Sequence, residues 1–191
     1  MLVATNGVNT HRGALFALGL ICVSTARLAA MKPAFTPLDL HYQIIHDWEE
    51  TLANHALSEG SHGSQVYQKH QIVGAKQMAM QGYGIVFNLL GSFIELYQKG
   101  ESLDACCLYA YAVLLADIDD TNILYRKDLA GMDFAKQKAK QLLLIDCVHE
   151  RRLVALTIHN EFASQHISPG GVGDLIAVLL FVGQLFHAPL Q

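Results

Sequence analysis

Charge is scarce in this 191-residue chain: Asp, Glu, Lys and Arg make up 16% of it, against 52% hydrophobic residues. The net charge is −4, and no run of Lys or Arg is longer than two, as at Arg151-Arg152. Nucleic-acid binding rests on a basic footprint, so no nucleic acid is expected as a partner. Any phosphate ligand needs a local pocket instead. Cysteine is also sparse, with Cys22, Cys106, Cys107 and Cys147 and no CxxC spacing. An adjacent pair inside an apolar run is poor disulfide geometry, so buried free thiols of a reducing cytoplasm are expected. There is no Gly-Lys-Ser/Thr phosphate loop, which excludes ordinary P-loop chemistry. No period-two alternation is long enough for a strand, and no internal repeat occurs.

Long uninterrupted apolar runs are lacking too. Arg12 to Ala30 imitates a signal peptide, with a basic start, the run Ala14 to Val23 and an Ala-Arg-Leu-Ala-Ala stretch. Both that run and Leu175 to Phe186 fall short of the roughly 20 apolar residues a spanning helix needs. No membrane partner and a cytoplasmic location are expected.

What is present reads as helix almost throughout. Thr10 is a plausible N-cap for a helix over Gly13 to Met31, buried all round, with Leu15, Leu18, Cys22 and Leu28 on one stripe. A second helix is expected to start after Pro37 and to run to about Leu57, with Leu40, Ile44, Ile45, Trp48 and Leu52 inward and Asp47, Glu49 and Glu50 outward. Residues 58–74 read as a polar connection. Helix resumes at Ala75, breaks at Gly82-Tyr83-Gly84, and returns from Ile85 to Gln98, closed by Gly100. Further helices are expected over Glu101 to Ile118, over Met132 to Gln165 as two, and from Ser168-Pro169 to before Pro189. The fold class is all-α: residues 1–191 form a single-domain multi-helix bundle.

Three polar islands sit at the ends of these apolar helices. The first is Thr5-Asn6-Gly7-Val8-Asn9-Thr10-His11-Arg12-Gly13. Glycines allow close backbone approach, the helix start offers free N–H groups, Arg12 can grip a phosphate with two prongs, and His11 can exchange a proton. A capped chain start with solvated side chains is the plainer alternative. The second is Asp117-Ile118-Asp119-Asp120-Thr121-Asn122. Three carboxylates at a helix C-terminus oppose the macrodipole and call for a cation. Magnesium on Asp119 and Asp120 is one answer, a solvated turn capped by Asn122 the other. Arg126 could pair with an Asp or reach a phosphate. The third is Ser168-Pro169-Gly170-Gly171-Val172-Gly173-Asp174. Three glycines at a helix start cost on the order of 1 kcal/mol each, so a phosphate or another helix approaches closely there. Asp174 would be an unsatisfied charge unless it binds a metal, a sugar hydroxyl or a base. A zinc site from His55, His62 and His70 has loose spacing and no Cys to support it.

In order along the chain, these segments resemble one family. Gly7-Val-Asn-Thr-His-Arg-Gly13 is similar to its GVNTHKG motif, with Arg12 for Lys. Asp120-Thr-Asn-Ile-Leu-Tyr-Arg126 is similar to its DTN…HR stretch. Ile167-Ser-Pro-Gly-Gly171 with Asp174-Leu175 resembles ISPGGSADLL. His62-Gly63 with Val66-Tyr67 and Gly74-Ala75 resembles HGE-x-VY…GAR. The chain thereby resembles the triphosphoribosyl-dephospho-CoA synthases, of which it looks like the C-terminal two-thirds, without the usual N-terminal part.

The resemblance implies a transferase with ATP and 3′-dephospho-CoA as substrates. The product is 2′-(5″-triphosphoribosyl)-3′-dephospho-CoA, with adenine released. It serves the acyl carrier protein of citrate lyase or, in a sister branch, malonate decarboxylase. It places His11 or Asp174 as the base. Asn9, Thr10, Arg12, His62, Asn122, Arg126, Ser168, Gly170 and Gly171 bind substrate, and magnesium arrives as the ATP complex on Asp119 and Asp120. The departures are Tyr125 for His, Lys127-Asp128 for Gly-Gly and Val172-Gly173 for Ser-Ala. Missing N-terminal helices would leave apolar faces uncovered, favouring a homodimer, and an inactive remnant is the competing reading.

Overall fold

In a computed structural model, residues 11–55, 62–72 and 74–187 are described, His62 by its backbone alone. They form helices α1 (Arg12–Met31), α2 (Pro37–Asn54), α3 (His62–His70), α4 (Ala75–Met80), α5 (Gly84–Gln98), α6 (Leu103–Asp117), α7 (Thr121–Leu143), α8 (Val148–Ser164) and α9 (Gly170–Phe186), with no strand among the described residues. The all-α expectation holds.

The bundle is organised around α9, which touches α1, α5, α6 and α7. Val172, Leu175, Val178, Leu179 and Val182 recur at helical spacing and are all buried. Each such side chain contributes roughly 1.5–3 kcal/mol of transfer free energy. Helix α6 lies along α7, α2 packs on α1 and α4, and α3 and α8 flank α7. Local signals set several boundaries. Thr36 accepts the Asp39 N–H at 3.2 Å while Asp39 Oδ2 accepts the Thr36 N–H at 2.7 Å, a reciprocal cap with Pro37 at the first helical position. Gly82 and Tyr83 both adopt positive φ, 60° and 53°, which ends α4 and starts α5.

Four expectations are corrected. Helix α1 is not buried all round. Its inner stripe is Ala17, Ile21, Ser24 and Leu28, while Leu15, Cys22, Val23 and Met31 are exposed. At 20 residues and mean hydropathy 1.9 it does meet the length and composition needed to cross a membrane, although Ser24 ties it to α2. Asp47 does not face solvent: its side chain is 4% exposed and accepts from Ser24 at 2.7 Å and Gln43 at 2.9 Å, with Arg27 at 3.1 Å. Burial pushes its pKa up, but those partners outweigh it and hold the carboxyl below its ordinary value. Residues 62–70 are helical, because Val66 supplies an apolar anchor against α7. Of the cysteines, only Cys106 is buried and Cys107 half-buried; Cys22 and Cys147 are exposed, and all four are free.

Helix α7 carries a kink at Asp128, with φ 61° and ψ −166°. That region is essentially reserved for glycine, the residue the resembled family carries there. In this chain Asp128 is held by an ion pair with Lys69, and His70 Nε2 lies 3.0 Å from its Oδ1. The strain costs about 1–3 kcal/mol, whereas exposed ion pairs return about 0–1. Asp128→Gly should therefore raise unfolding free energy by on the order of 1 kcal/mol in urea denaturation. A loss of stability would show that the ion pairs outweigh the strain.

Candidate active site

The starts of α1, α7 and α9 meet, and glycine is what lets them. A Cβ on Gly13 would lie 1.8 Å from Asp174 Oδ2, one on Gly170 2.6 Å from Asn122 Nδ2, and one on Gly171 3.0 Å from Asp120 Oδ2. The first, second and third islands are thus brought together. Gly74, at the start of α4, abuts them, since a Cβ there would meet Thr121 Cγ2 at 2.5 Å. The close approach that the glycines imply is made by the protein's own polar side chains.

Asp120 joins two helices. It is 1% exposed and is the N-cap of α7, where Oδ1 accepts the N–H groups of Asn122 at 2.8 Å and Ile123 at 3.3 Å. Its Oδ2 accepts the Val172 N–H of α9 at 3.0 Å, and the Gly171 N–H is bonded to the same carboxylate. Burial raises its pKa above the ordinary value, against the pull of these backbone bonds. Of the second island's carboxylates, Asp117 ends α6 and Asp119 follows it, as the sequence suggests. Asp120 sits at the favourable end of α7, and the cation that the sequence calls for is Lys136. Its Nζ lies 2.7 Å from Asp119 Oδ1 and donates to Asp117 O at 3.2 Å.

Magnesium does not fit the Asp119–Asp120 pair. A carboxylate has about four lone-pair directions, and backbone N–H groups take four on Asp120. Asp119 is half-exposed and committed to Lys136. Among the described residues no group of three or more His, Cys, Asp or Glu is placed to hold a metal. The start of α9 is also no open phosphate cradle. The Gly170 N–H goes to Ser168 O at 2.9 Å, Gly171 and Val172 to Asp120, and Gly173 to Pro169 O at 3.2 Å. Its first-turn donors are satisfied internally, and the Ser168 side chain is not a cap, since Pro169 occupies that position.

Asp174 is the half-buried carboxyl at the centre. Burial, then the neighbouring charge of Asp120, push its pKa up to about 6, while the Ala14 N–H and the charge of His11 pull the other way. A carboxylate of that strength is a better base than a solvated one and is still largely ionised at neutral pH. His11 immediately precedes α1 and is exposed, as are Arg12 and, on α7, Arg126. Asn9, Thr10 and the His62 side chain lie outside the described residues.

Two tyrosines feel the charge of these carboxylates although no motif marks them. Tyr111 is raised in pKa by burial and by Asp120, and Tyr83 by burial and by Asp174. Tyr83 stands alone between two glycines in an apolar stretch, the one sequence signal that could have singled it out.

Comparison with known proteins agrees with the motif pattern. The family model described as CitG: ATP:dephospho-CoA triphosphoribosyl transferase matches residues 1–189. A probable 2-(5″-triphosphoribosyl)-3′-dephosphocoenzyme-A synthase of Acinetobacter calcoaceticus is 29% identical over 98% of this chain and 65% of its own length. The synthase of Klebsiella pneumoniae is 32% identical over 95% of this chain and 63% of its own. A probable synthase of Pseudomonas syringae is 32% identical over 97% and 63%. The chain thus spans slightly under two-thirds of the length of these relatives. No solved structure matches it. With Gly13, Asp120 and Gly170-Gly171 of three motifs gathered at one meeting of helix starts, the chain belongs to the ATP:dephospho-CoA triphosphoribosyl transferase family.

Proposed function

We propose that this chain carries the catalytic centre of a cytoplasmic transferase that moves the triphosphoribosyl part of ATP onto 3′-dephospho-CoA and releases adenine. The observation that supports it most is Asp174. It is a half-buried carboxyl with pKa about 6, set where three family motifs converge. In this reading the ribose 2′-hydroxyl of dephospho-CoA gives its proton to Asp174. Its oxygen bonds to C1′ of the ATP ribose as the bond from C1′ to adenine breaks, and adenine leaves with the bonding pair and takes up a proton. Positive charge develops on the sugar, as in glycoside cleavage, and an ionised Asp174 beside it is favourable.

Arg12 and Arg126, exposed at the starts of α1 and α7, are assigned to the triphosphate, since guanidinium matches phosphate geometry. Asn122, beside Gly170, is assigned to a substrate hydroxyl. Magnesium enters bound to ATP and not on the Asp119–Asp120 pair. The product is taken as the prosthetic-group precursor for the acyl carrier protein of citrate lyase. Incubation with ATP, magnesium and dephospho-CoA should yield adenine and the triphosphoribosylated coenzyme in equal amounts, followed by chromatography. Adenine no higher than in an enzyme-free control would overturn the assignment.

A further inference from the structure

A cavity of about 430 Å³ lies between α3 and α7 and shares no lining residue with the centre around Asp174. That volume falls within the roughly 300–1,000 Å³ of sites that take small molecules. Val66 and Leu124, both 2% exposed, form an apolar floor, and Gln68, Lys69, His70 and Tyr125 supply polar groups. Helical spacing sets this arrangement on α3, since Lys69 and His70 follow Val66 by three and four residues and share its face.

His70 carries a need that the fold does not meet. Its side chain is 9% exposed, and Nε2, shielded from solvent, has no hydrogen-bond partner among the described residues. Asp128 Oδ1 lies 3.0 Å away but out of line for a hydrogen bond. Such a buried nitrogen is costly to leave unsatisfied. The same carboxylate pairs with Lys69, and Asp128 does so from φ 61° and ψ −166°, backbone geometry essentially limited to glycine. A carboxylate is thus forced against a lysine and a histidine of the cavity without satisfying the histidine. A phosphate has more oxygens and no backbone to constrain it, so it can meet Lys69 Nζ and His70 Nε2 in line. Leu124 and Tyr125 follow Asn122 by two and three residues, a rise of about 3–5 Å along α7. A nucleotide bound beside Asn122 therefore has this cavity next to it.

We propose that the cavity is a phosphate subsite for an adenosine nucleotide, in which Lys69 and His70 bind the phosphate chain and displace Asp128, the internal anion, to do so. The transferase reading supplies two such chains, the triphosphate of ATP and the diphosphate of dephospho-CoA, and the choice of nucleotide rests on that reading.

Calorimetric titration of the 191-residue chain with each nucleotide tests this, at pH 7.5 and about 0.15 M salt to screen distant charges. Asp128→Asn should bind one of them roughly tenfold more tightly, because the internal competitor is lost. Lys69→Met should bind the same one roughly ten- to a hundredfold more weakly. Neither side chain is buried, and opposite shifts cannot come from partial unfolding. Asp133→Asn, an exposed change of equal charge elsewhere on α7, should leave both affinities as in the wild type. Opposite shifts with dephospho-CoA place its diphosphate in the cavity; opposite shifts with ATP place the triphosphate there instead of on Arg12 and Arg126. The proposal is overturned if either variant leaves both affinities unchanged or moves them the other way. An equal gain in Asp133→Asn also overturns it, since net charge alone then accounts for the effect. Adenine release without these shifts would leave the transferase reading standing and sink the subsite. Opposite shifts in a protein that releases no adenine would keep the subsite and overturn the transferase reading.

Discussion

Asp120→Ala is expected to lower the unfolding free energy by about 3–5 kcal/mol, measured by urea denaturation at pH 7. The carboxylate caps α7 through Asn122 and Ile123 and receives α9 through Gly171 and Val172. A lost N-cap alone costs about 1 kcal/mol, and here two helices lose one. Buried N–H groups left without an acceptor add about 1–3 kcal/mol each, offset in part by release of a buried charge. Total stabilities are about 5–15 kcal/mol, so this one side chain accounts for a large share. Asp120→Asn should fall between, at about 2–3 kcal/mol, because its amide can accept at one helix but presents N–H to the N–H groups of the other. A change under about 1 kcal/mol for the alanine variant would mean the two helix starts are held by something else. The size of the effect matters for activity measurements. Rates of Asp120 variants report on the site only at temperatures where they are shown to be folded.

That dual cap shows where sequence reading stops. Helix ends marked by local chemistry were legible: the start by Pro37, the Gly82-Tyr83-Gly84 break, and the stop at Gly100. The three polar islands were legible as groups in need of partners, since polar residues at the ends of apolar helices do not stay unsatisfied. Which partners they find was not. Whether Asp120 serves a cation or a helix depends on α9, whose bonding residue lies 52 positions away. The same limit applies to α1. It is apolar on nearly every side, so its pattern could not select Ala17, Ile21, Ser24 and Leu28 over Leu15 and Cys22. Val66 is the one buried apolar residue of α3, too weak a periodic signal against Ser, Gly, His and Gln. Gly13, Gly170 and Gly171 are sites of close approach, to Asp174, Asn122 and Asp120, whereas a Cβ on Gly173 would meet nothing within 4 Å.

Asp174→Asn should separate stability from activity at this centre. Folding raises the Asp174 pKa from 3.8 to about 6, so between those values the folded state binds more protons than the unfolded one. Stability from this group is then greatest below pH 4, falls as pH rises, and is lost once the folded carboxyl is ionised above pH 6. The asparagine variant has no such loss. Because Asp174 is only half-buried, solvent screening discounts the effect to about 1 kcal/mol. Asp174→Asn should therefore exceed the wild type by about that amount at pH 7.5, with the advantage shrinking to nothing near pH 4. In the proposed mechanism the same substitution removes the proton acceptor, and adenine release should fall by about 10²- to 10⁴-fold. A purely structural carboxylate would not give this combination, since its removal would leave the rate of the folded protein intact. Nor would a metal ligand, whose loss should be matched by weaker magnesium dependence and not by a pH-dependent gain in stability. A variant that is both more stable at neutral pH and nearly inactive would mark Asp174 as a charge kept at the expense of the fold for the sake of the reaction. Equal stability across the pH range, with normal turnover, would move the base to His11, the other proton-exchanging group at the start of α1.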